Sequence, residues 1–370
     1  MRKRLELRVL QVTTHLNTGG ISNYIVSLSG ALKERLVDTV AASSGGNMEK
    51  ELRDRGIPHK ALEMDTKFEF GPKVFKSALT LTGIIRQEKI DIIHAHSRVS
   101  QAAASLASMM SGAPLVTTCH GYFQKRSRGV FDTWGKKVVA ISDAVKTHLE
   151  EDLGVKAGRI ELIYNGVDID QFSGRSSDEE VDRIRKELGA RGGPVIGTVG
   201  RLSPVKGHRF LVEAMRDVVR AAPDIRCLIV GSGDEEFELK NLAGSLGLKD
   251  AIRFFPSTPD TRRFLSAMDV FVFPSVKEGL GIALLEAFAS GKACVASDTG
   301  GIGNVVEDGV TGLLVPVGDP PAMAKAVLKL IGDAPLRRQL GDNARALVVK
   351  KFTLDEMAAR MIEFYRGVIG

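Results

Sequence analysis

Two cations and two carboxylates in the second half of the 370-residue chain carry the densest chemistry. Arg201 and Lys206 stand five residues apart in Gly200-Arg201-Leu202-Ser203-Pro204-Val205-Lys206-Gly207, between a strand-like run and a helical stretch. A guanidinium fork and an ammonium point charge at that spacing suit the two phosphates of a nucleotide diphosphate. Downstream, Phe273-Pro274-Ser275-Val276-Lys277-Glu278-Gly279-Leu280-Gly281 followed by Ile282-Ala283-Leu284-Leu285-Glu286-Ala287 reads as strand, glycine loop and helix. Gly279 and Gly281 let the backbone approach a ligand, and the amides that open the helix favour an anion by hydrogen bonding and by dipole. Glu278 and Glu286 are eight residues apart, roughly 12 Å at helical rise. That is too far for an acid and a base acting on one bond, and it fits two separate hydroxylated rings. Glu286 lies between Leu285 and Ala287 in an almost wholly apolar helix, where an unpaired charge is costly, which weighs against a merely solvated role.

The first half offers weaker signals. Gly19-Gly20 follows an apolar strand, and His120 closes a second one in Thr117-Thr118-Cys119-His120-Gly121. His59, His148 and His208 read as hydrogen-bonded structural residues. His94 and His96 flank Ala95 at a strand end, and the reading puts one on each face, so that only one meets a ligand. Phe123-Gln124-Lys125-Arg126-Ser127-Arg128 and Trp134-Gly135-Lys136-Lys137 alternate bases with aromatics, a pattern expected to dock on an anionic membrane surface. Residues 1–170 hold 24 Lys and Arg against 19 Asp and Glu, so nearly all of the net charge of +6 sits there. No nucleic-acid reader motif accompanies it, and no nucleic-acid partner is expected.

The elements that must position these groups are parallel strands joined by helices. Apolar β-branched runs near 7–13, 38–42, 90–95, 115–119, 137–141 and 159–164 alternate with helical periodicity near 21–34, 72–88, 100–111 and 143–153. A polar stretch over 173–193 interrupts the pattern, which restarts at 195–199 and continues through 226–230, 253–255, 270–273, 293–296 and 312–315. The expected class is α/β, with two doubly wound, Rossmann-like domains over 1–172 and 173–352 facing across a cleft, and a last helix over about 353–370 packing back on the first. The length fits two domains of ordinary size. With 44% apolar and 26% charged residues, disordered and fibrous classes are excluded. Cys119, Cys227 and Cys294 lie far apart in apolar runs and read as reduced core residues. No apolar run approaches 18 residues and charges interrupt the N-terminal stretch, so a cytoplasmic address is expected.

Gly-Arg-Leu-x-x-x-Lys-Gly at 200–207, Pro-Ser-x-x-Glu-Gly-x-Gly-x-x-x-x-Glu-Ala-x-Ala-x-Gly at 274–291 and Asn165-Gly166-Val167-Asp168 resemble the retaining GT-B glycosyltransferases of family 4 over essentially the whole chain. The resemblance implies a sugar transferred from a nucleotide-sugar, with a UDP-hexose favoured, to a hydroxyl of an envelope glycan or lipid-linked acceptor. A GT-B epimerase or hydrolase and a non-catalytic nucleotide-sugar-binding protein are the alternatives. It further implies that Arg201 and Lys206 contact the diphosphate, Glu278 the transferred sugar, Glu286 the ribose, and that Gly279, Leu280 and Gly281 offer backbone donors. Gly19 and Gly20 then form the loop beside the donor phosphates, and His120 positions the donor sugar or the acceptor. His120, Arg201, Lys206 and Glu278 form the expected catalytic set. No resident cofactor or metal is expected, since the two cations meet the diphosphate charge and Asp168-Ile169-Asp170 belongs to the turn. Asn304 stands where the family often carries a glutamate, so that contact is not transferred. A peripheral position on the inner membrane face is the expected address of such an enzyme.

Overall fold

A computed structural model describes residues 7–123, 133–174, 177–190 and 192–370. It divides into two compact units, one of residues 1–165 with 354–370 and the other of 166–353.

The first unit is a seven-stranded parallel sheet. Its strands are β1 (Arg8–Val12), β2 (Asp38–Ser43), β3 (His59–Ala61), β4 (Ile92–Ala95), β5 (Leu115–Cys119), β6 (Lys137–Ala140) and β7 (Ile160–Leu162), in the order β3-β2-β1-β4-β5-β6-β7. Strands β4 and β5 are buried along their lengths and β1 from Val9 onward, as sheets covered by helices on both faces require. The edge strand β3 was not visible in the sequence, because three residues that are only partly covered leave no apolar run. The helix Leu354–Ile369 belongs to this unit and buries Met357, Met361, Phe364 and Tyr365, residues that recur at helical spacing.

The second unit is a six-stranded parallel sheet of β8 (Val195–Val199), β9 (Arg226–Val230), β10 (Ile252–Phe255), β11 (Val270–Phe273), β12 (Ala293–Ser297) and β13 (Leu313–Val315), ordered β10-β9-β8-β11-β12-β13. Its core joins Ile196, Ile229, Val270 and Val272 of the sheet to Leu211, Met215 and Val218 of the helix His208–Ala221 and Val327 of Pro320–Gly332. Burying side chains of this size contributes about 1.5–3 kcal/mol each.

In each sheet the chain reverses its winding at one place, between β1 and β4 in the first and between β8 and β11 in the second. Loops leaving the carboxyl ends of such neighbouring strands diverge and leave a crevice, the place where open parallel sheets hold ligands. The loops after β8 and β11 contain the Arg201–Lys206 and Glu278–Gly281 motifs. The residues at the ends of β1, β4 and β5 include Gln11, His94, His96, Thr118 and His120.

Candidate functional site

In the second unit, loops 200–207 and 274–281 are joined through their backbones. Val276 N–H donates to the Val205 carbonyl at 2.9 Å and Lys277 N–H to the same oxygen at 3.3 Å. The closeness demands glycine. Gly207 has φ +64°, and a β-carbon there would lie 2.1 Å from the Pro274 carbonyl oxygen. Gly231, on the neighbouring loop, would place one 1.9 Å from the Gly200 carbonyl oxygen. The loop after β8 is thus held on both sides by backbones that only a glycine can approach.

This junction brings the predicted charges together. Lys206 Nζ donates to the Glu278 carboxylate, and both side chains are largely covered. Ser275 Oγ donates to the same carboxylate at 3.3 Å, and Lys206 Nζ also lies 5.6 Å from the centre of the Phe273 ring. The Glu278 carbonyl accepts from Gly301 N–H at 3.0 Å, which fixes the backbone beneath it. Arg201 is exposed and pairs with no carboxylate among the described residues.

The spacing of the two glutamates needs correction. The helix starts only at Ile282, so Glu278 lies in the loop before it and helical rise does not measure its distance from Glu286. Gly281 caps that helix at φ +87°, where a β-carbon would meet the Phe273 ring at 2.9 Å. Gly279 and Leu280 are buried. Among the described residues, the amides of Gly279, Leu280 and Gly281 donate to no carbonyl elsewhere in the chain.

Glu286 is not left unpaired in its apolar helix, since Thr261 Oγ1 donates to Oε2 at 2.9 Å. Burial still pushes this carboxyl up to about 7; the threonine bond opposes the rise and the neighbouring Asp260 adds to it. His208 departs from the expected structural role. It is buried, and neither ring nitrogen finds a partner among the described residues. Burial, with the Lys206 charge adding to it, lowers its imidazole to about 4.

In the first unit three histidines lie together, His94 and His96 buried and His120 half-buried. His94 and His96 do not point to opposite faces, because residues two apart on an extended chain share a face, and their ring centres are 4.2 Å apart. His96 Nδ1 lies 3.1 Å from His120 Nε2, and His96 Nε2 lies 2.6 Å from Gln11 Oε1. His94 contacts the Tyr365 hydroxyl at 2.6 Å and Thr118 Oγ1 at 2.7 Å. Tyr24 sets its ring edgewise to His120, with centres 4.7 Å apart. Burial lowers His94 and His120 to about 3 and His96 well below its ordinary range, so all three are neutral near pH 7. Gly20 opens the helix Gly20–Glu34, Gly19 precedes it, and a β-carbon on Gly20 would meet nothing within 4 Å among the described residues. Packing among the described residues therefore gives no reason for glycine at position 20.

Gln11, Thr118, Tyr365 and Thr261 were missed in the sequence. Gln11 did carry a signal, an amide within the apolar run Val9–Val12; Tyr365 carried none, since it falls on an apolar helical stripe. His148 and His59 are structural as expected, bonded to Asp152 and Phe123 and to Ser43. Asp168 caps the short helix Ile169–Ser173 by accepting from the Asp170 and Gln171 amides. Cys119, Cys227 and Cys294 are buried and unbridged. Asn304 ends the single-turn helix Gly300–Asn304. Most of the basic patch, residues 124–128, lies outside the described residues. Among the described residues no helix is long and apolar enough to cross a membrane, and no group of three or more His, Cys, Asp or Glu is placed to hold a metal ion.

Residues 18–171 match the family Glycosyltransferase Family 4, and residues 180–347 match Glycosyl transferases group 1. A D-inositol 3-phosphate glycosyltransferase of Xylanimonas cellulosilytica is 30% identical, over 94% of this chain and 92% of its own. The UDP-Gal:alpha-D-GlcNAc-diphosphoundecaprenol alpha-1,3-galactosyltransferase of Escherichia coli is 27% identical over 80% of each. The crystal structure of a glycosyltransferase from Rickettsia africae superposes with a TM-score of 0.85 at 25% identity, covering 99% of both chains. Two Rossmann-like parallel sheets with this pair of loops define a GT-B glycosyltransferase. The chain belongs to the glycosyl transferases group 1, of the family 4 type, and is a glycosyltransferase.

The buried imidazoles set an acid sensitivity. His94, His96, His120 and His208 have folded values below the ordinary 6.5, so the unfolded chain binds more protons as pH falls from about 6.5 toward 3 to 4. Their contribution to stability is complete above 6.5 and is lost on acidification, at up to about 1.4 kcal/mol per pH unit for each. Glu286 works oppositely between 4.5 and 7, where the folded carboxyl keeps its proton and the unfolded one does not. Denaturant titrations at pH 7.5, 6 and 5 are expected to show falling stability, and Glu286→Gln to steepen the fall. A flat profile contradicts the buried neutral state of these histidines.

Proposed function

We propose that the enzyme is a retaining hexosyltransferase that moves a sugar from a UDP-hexose to a hydroxyl of an envelope glycan or lipid-linked acceptor. The observation that carries this reading is the Lys206–Glu278 pair, on the same two loops as the exposed Arg201 and the amides of 279–281. A cation already matched by a carboxylate can transfer to an arriving diphosphate without any charge being left bare, provided the carboxylate finds donors of its own. Sugar hydroxyls are such donors. Lys206 would then hold the diphosphate with Arg201, and Glu278 would turn to the transferred sugar. Glu286 would accept from the ribose hydroxyls.

Breaking the glycosidic bond loads negative charge onto the departing diphosphate. Arg201, Lys206 and the loop amides meet that charge as it grows, and this electrostatic stabilisation is the main catalytic contribution we assign. In this scheme the two side-chain cations suffice and no resident cofactor is used. Double displacement requires a second carboxyl about 5 Å from the first across the anomeric carbon. Glu278 is held by Lys206 and Ser275, and Glu286 by Thr261, so the two have separate tasks. The acceptor hydroxyl would instead attack on the side from which the diphosphate leaves, and the leaving phosphate would take its proton. In the first unit, His120 and the Gly19-Gly20 turn are assigned to positioning the sugar, the acceptor or the donor phosphates.

Incubation with a panel of nucleotide-sugars, with and without glycan and lipid-linked acceptors, tests the assignment. Acceptor-dependent release of UDP is expected, with kcat reduced roughly 100- to 1,000-fold in Lys206→Met. Acceptor-independent turnover would instead identify a hydrolase or epimerase, and binding without turnover a non-catalytic protein.

A membrane-bound acceptor is supported by apolar groups on the first unit. Phe68 is 75% exposed, and Phe75 and Leu79, one turn apart on the helix Pro72–Gln87, are more than half exposed, near Lys67 and Lys73 in the sequence. Apolar groups that insert and cations that meet lipid phosphates together favour an anionic bilayer. Co-sedimentation with anionic vesicles is expected to fall in Phe75→Glu/Leu79→Glu and with added salt; equal recovery of both proteins removes the reading.

A further inference from the structure

Around His120 the protons of the buried chain can be placed one after another. Gln11 Oε1 only accepts, so His96 Nε2, 2.6 Å away, carries the hydrogen. His96 Nδ1 is then the acceptor for His120 Nε2–H at 3.1 Å, and the second ring nitrogen of His120 keeps its lone pair. In the other direction, Gln11 Nε2 donates to the Tyr365 hydroxyl at 3.3 Å. Tyr365 donates to His94 Nδ1 at 2.6 Å, and His94 Nε2–H donates to Thr118 Oγ1 at 2.7 Å. Each of these contacts then has one donor and one acceptor, so the placement is self-consistent. Gln11, His94, His96, Thr118 and Tyr365 are buried, whereas His120 is half-buried and its Nδ1 has no protein partner among the described residues.

We propose that Gln11 and Tyr365 are positioning residues, which fix His120 as its Nε2–H tautomer and so present Nδ1 as a hydrogen-bond acceptor for a substrate hydroxyl. Gln11 acts through His96, and Tyr365 acts by fixing which way the Gln11 amide faces. The last helix of the chain, which carries Tyr365, thereby sets the polarity of a group at the end of β5. An acceptor nitrogen selects a hydroxyl or another donor and disfavours a bare anion at that point. The role of Nδ1 toward a hydroxyl rests on the reading of His120 under the proposed function; the tautomer itself does not.

Nitrogen-15 NMR of the full chain with labelled histidine separates protonated from bare ring nitrogens, and the His120 signals are identified by their loss in His120→Gln. The expected result is a wild-type His120 protonated at Nε2 and bare at Nδ1. Mixed tautomers are expected in Gln11→Met and Tyr365→Phe, with kcat lowered roughly tenfold at nearly constant donor KM. A merely structural role for the two residues would lower their melting temperatures while leaving the nitrogen shifts in place, and that result overturns the proposal. So does a wild-type His120 protonated at Nδ1, the polarity that a reversed Gln11 amide would impose. The wild-type spectrum decides this even if a variant fails to fold. Failure of the transferase reading shows itself separately, as absent acceptor-dependent turnover with the tautomer pattern intact.

Discussion

The ion pair between Lys206 and Glu278 is the constraint on which the second unit's site depends. It joins the ends of two strands, β8 and β11, that are neighbours in the sheet although more than seventy residues apart in the chain. The backbone must first bring those loops into contact, and it does so at Gly207, while Gly231 lets the next loop close on Gly200 from the other side and Gly281 packs on the Phe273 ring, each placed where a β-carbon would collide with a carbonyl or a ring. The glycines commonly read as ligand-approach residues thus have a prior task in holding the protein's own loops together. Charge then follows from geometry, since a lysine and a glutamate brought this close and largely covered stabilise one another while leaving Arg201 exposed.

The two units treat polarity differently. In the second, Lys206, Glu278 and Arg201 sit on loops at the carboxyl ends of strands, two of them paired and one exposed. In the first, the network's groups are neutral, buried apart from the half-buried His120, and linked side chain to side chain over β1, β4, β5 and the C-terminal helix. A buried network of this kind stabilises only when every member is paired, which makes it rigid and ties its members together. Under the proposed function, rigidity suits a group that orients a substrate, whereas an ion pair at a loop suits groups that take up and release an anion.

Much of the fold was legible because covered parallel strands are written as apolar runs; β5, β8, β9 and β11 fall where their residues predict. The three-residue edge strand β3 was not, since half-exposed residues need no apolar pattern. The motif at 274–291 was legible as strand, glycine loop and helix, but the spacing of Glu278 and Glu286 was not, because Glu278 lies in the loop before the helix that Gly281 opens at positive φ and helical rise does not span it. His94 and His96 were assigned to opposite faces although strand periodicity puts them on one, and that face carries the network. Tyr365 could not have been found by local reading, as its partner Gln11 is 354 residues away.

Titration calorimetry with UDP on the wild type, Lys206→Met and Glu278→Gln tests the exchange of partners at Lys206 most directly. If the ammonium leaves Glu278 for the diphosphate, Lys206→Met weakens UDP binding at least about tenfold, while Glu278→Gln, which frees the lysine, binds UDP as tightly as wild type or tighter. Equal weakening in both variants would show that the pair serves the loops alone and would contradict the account.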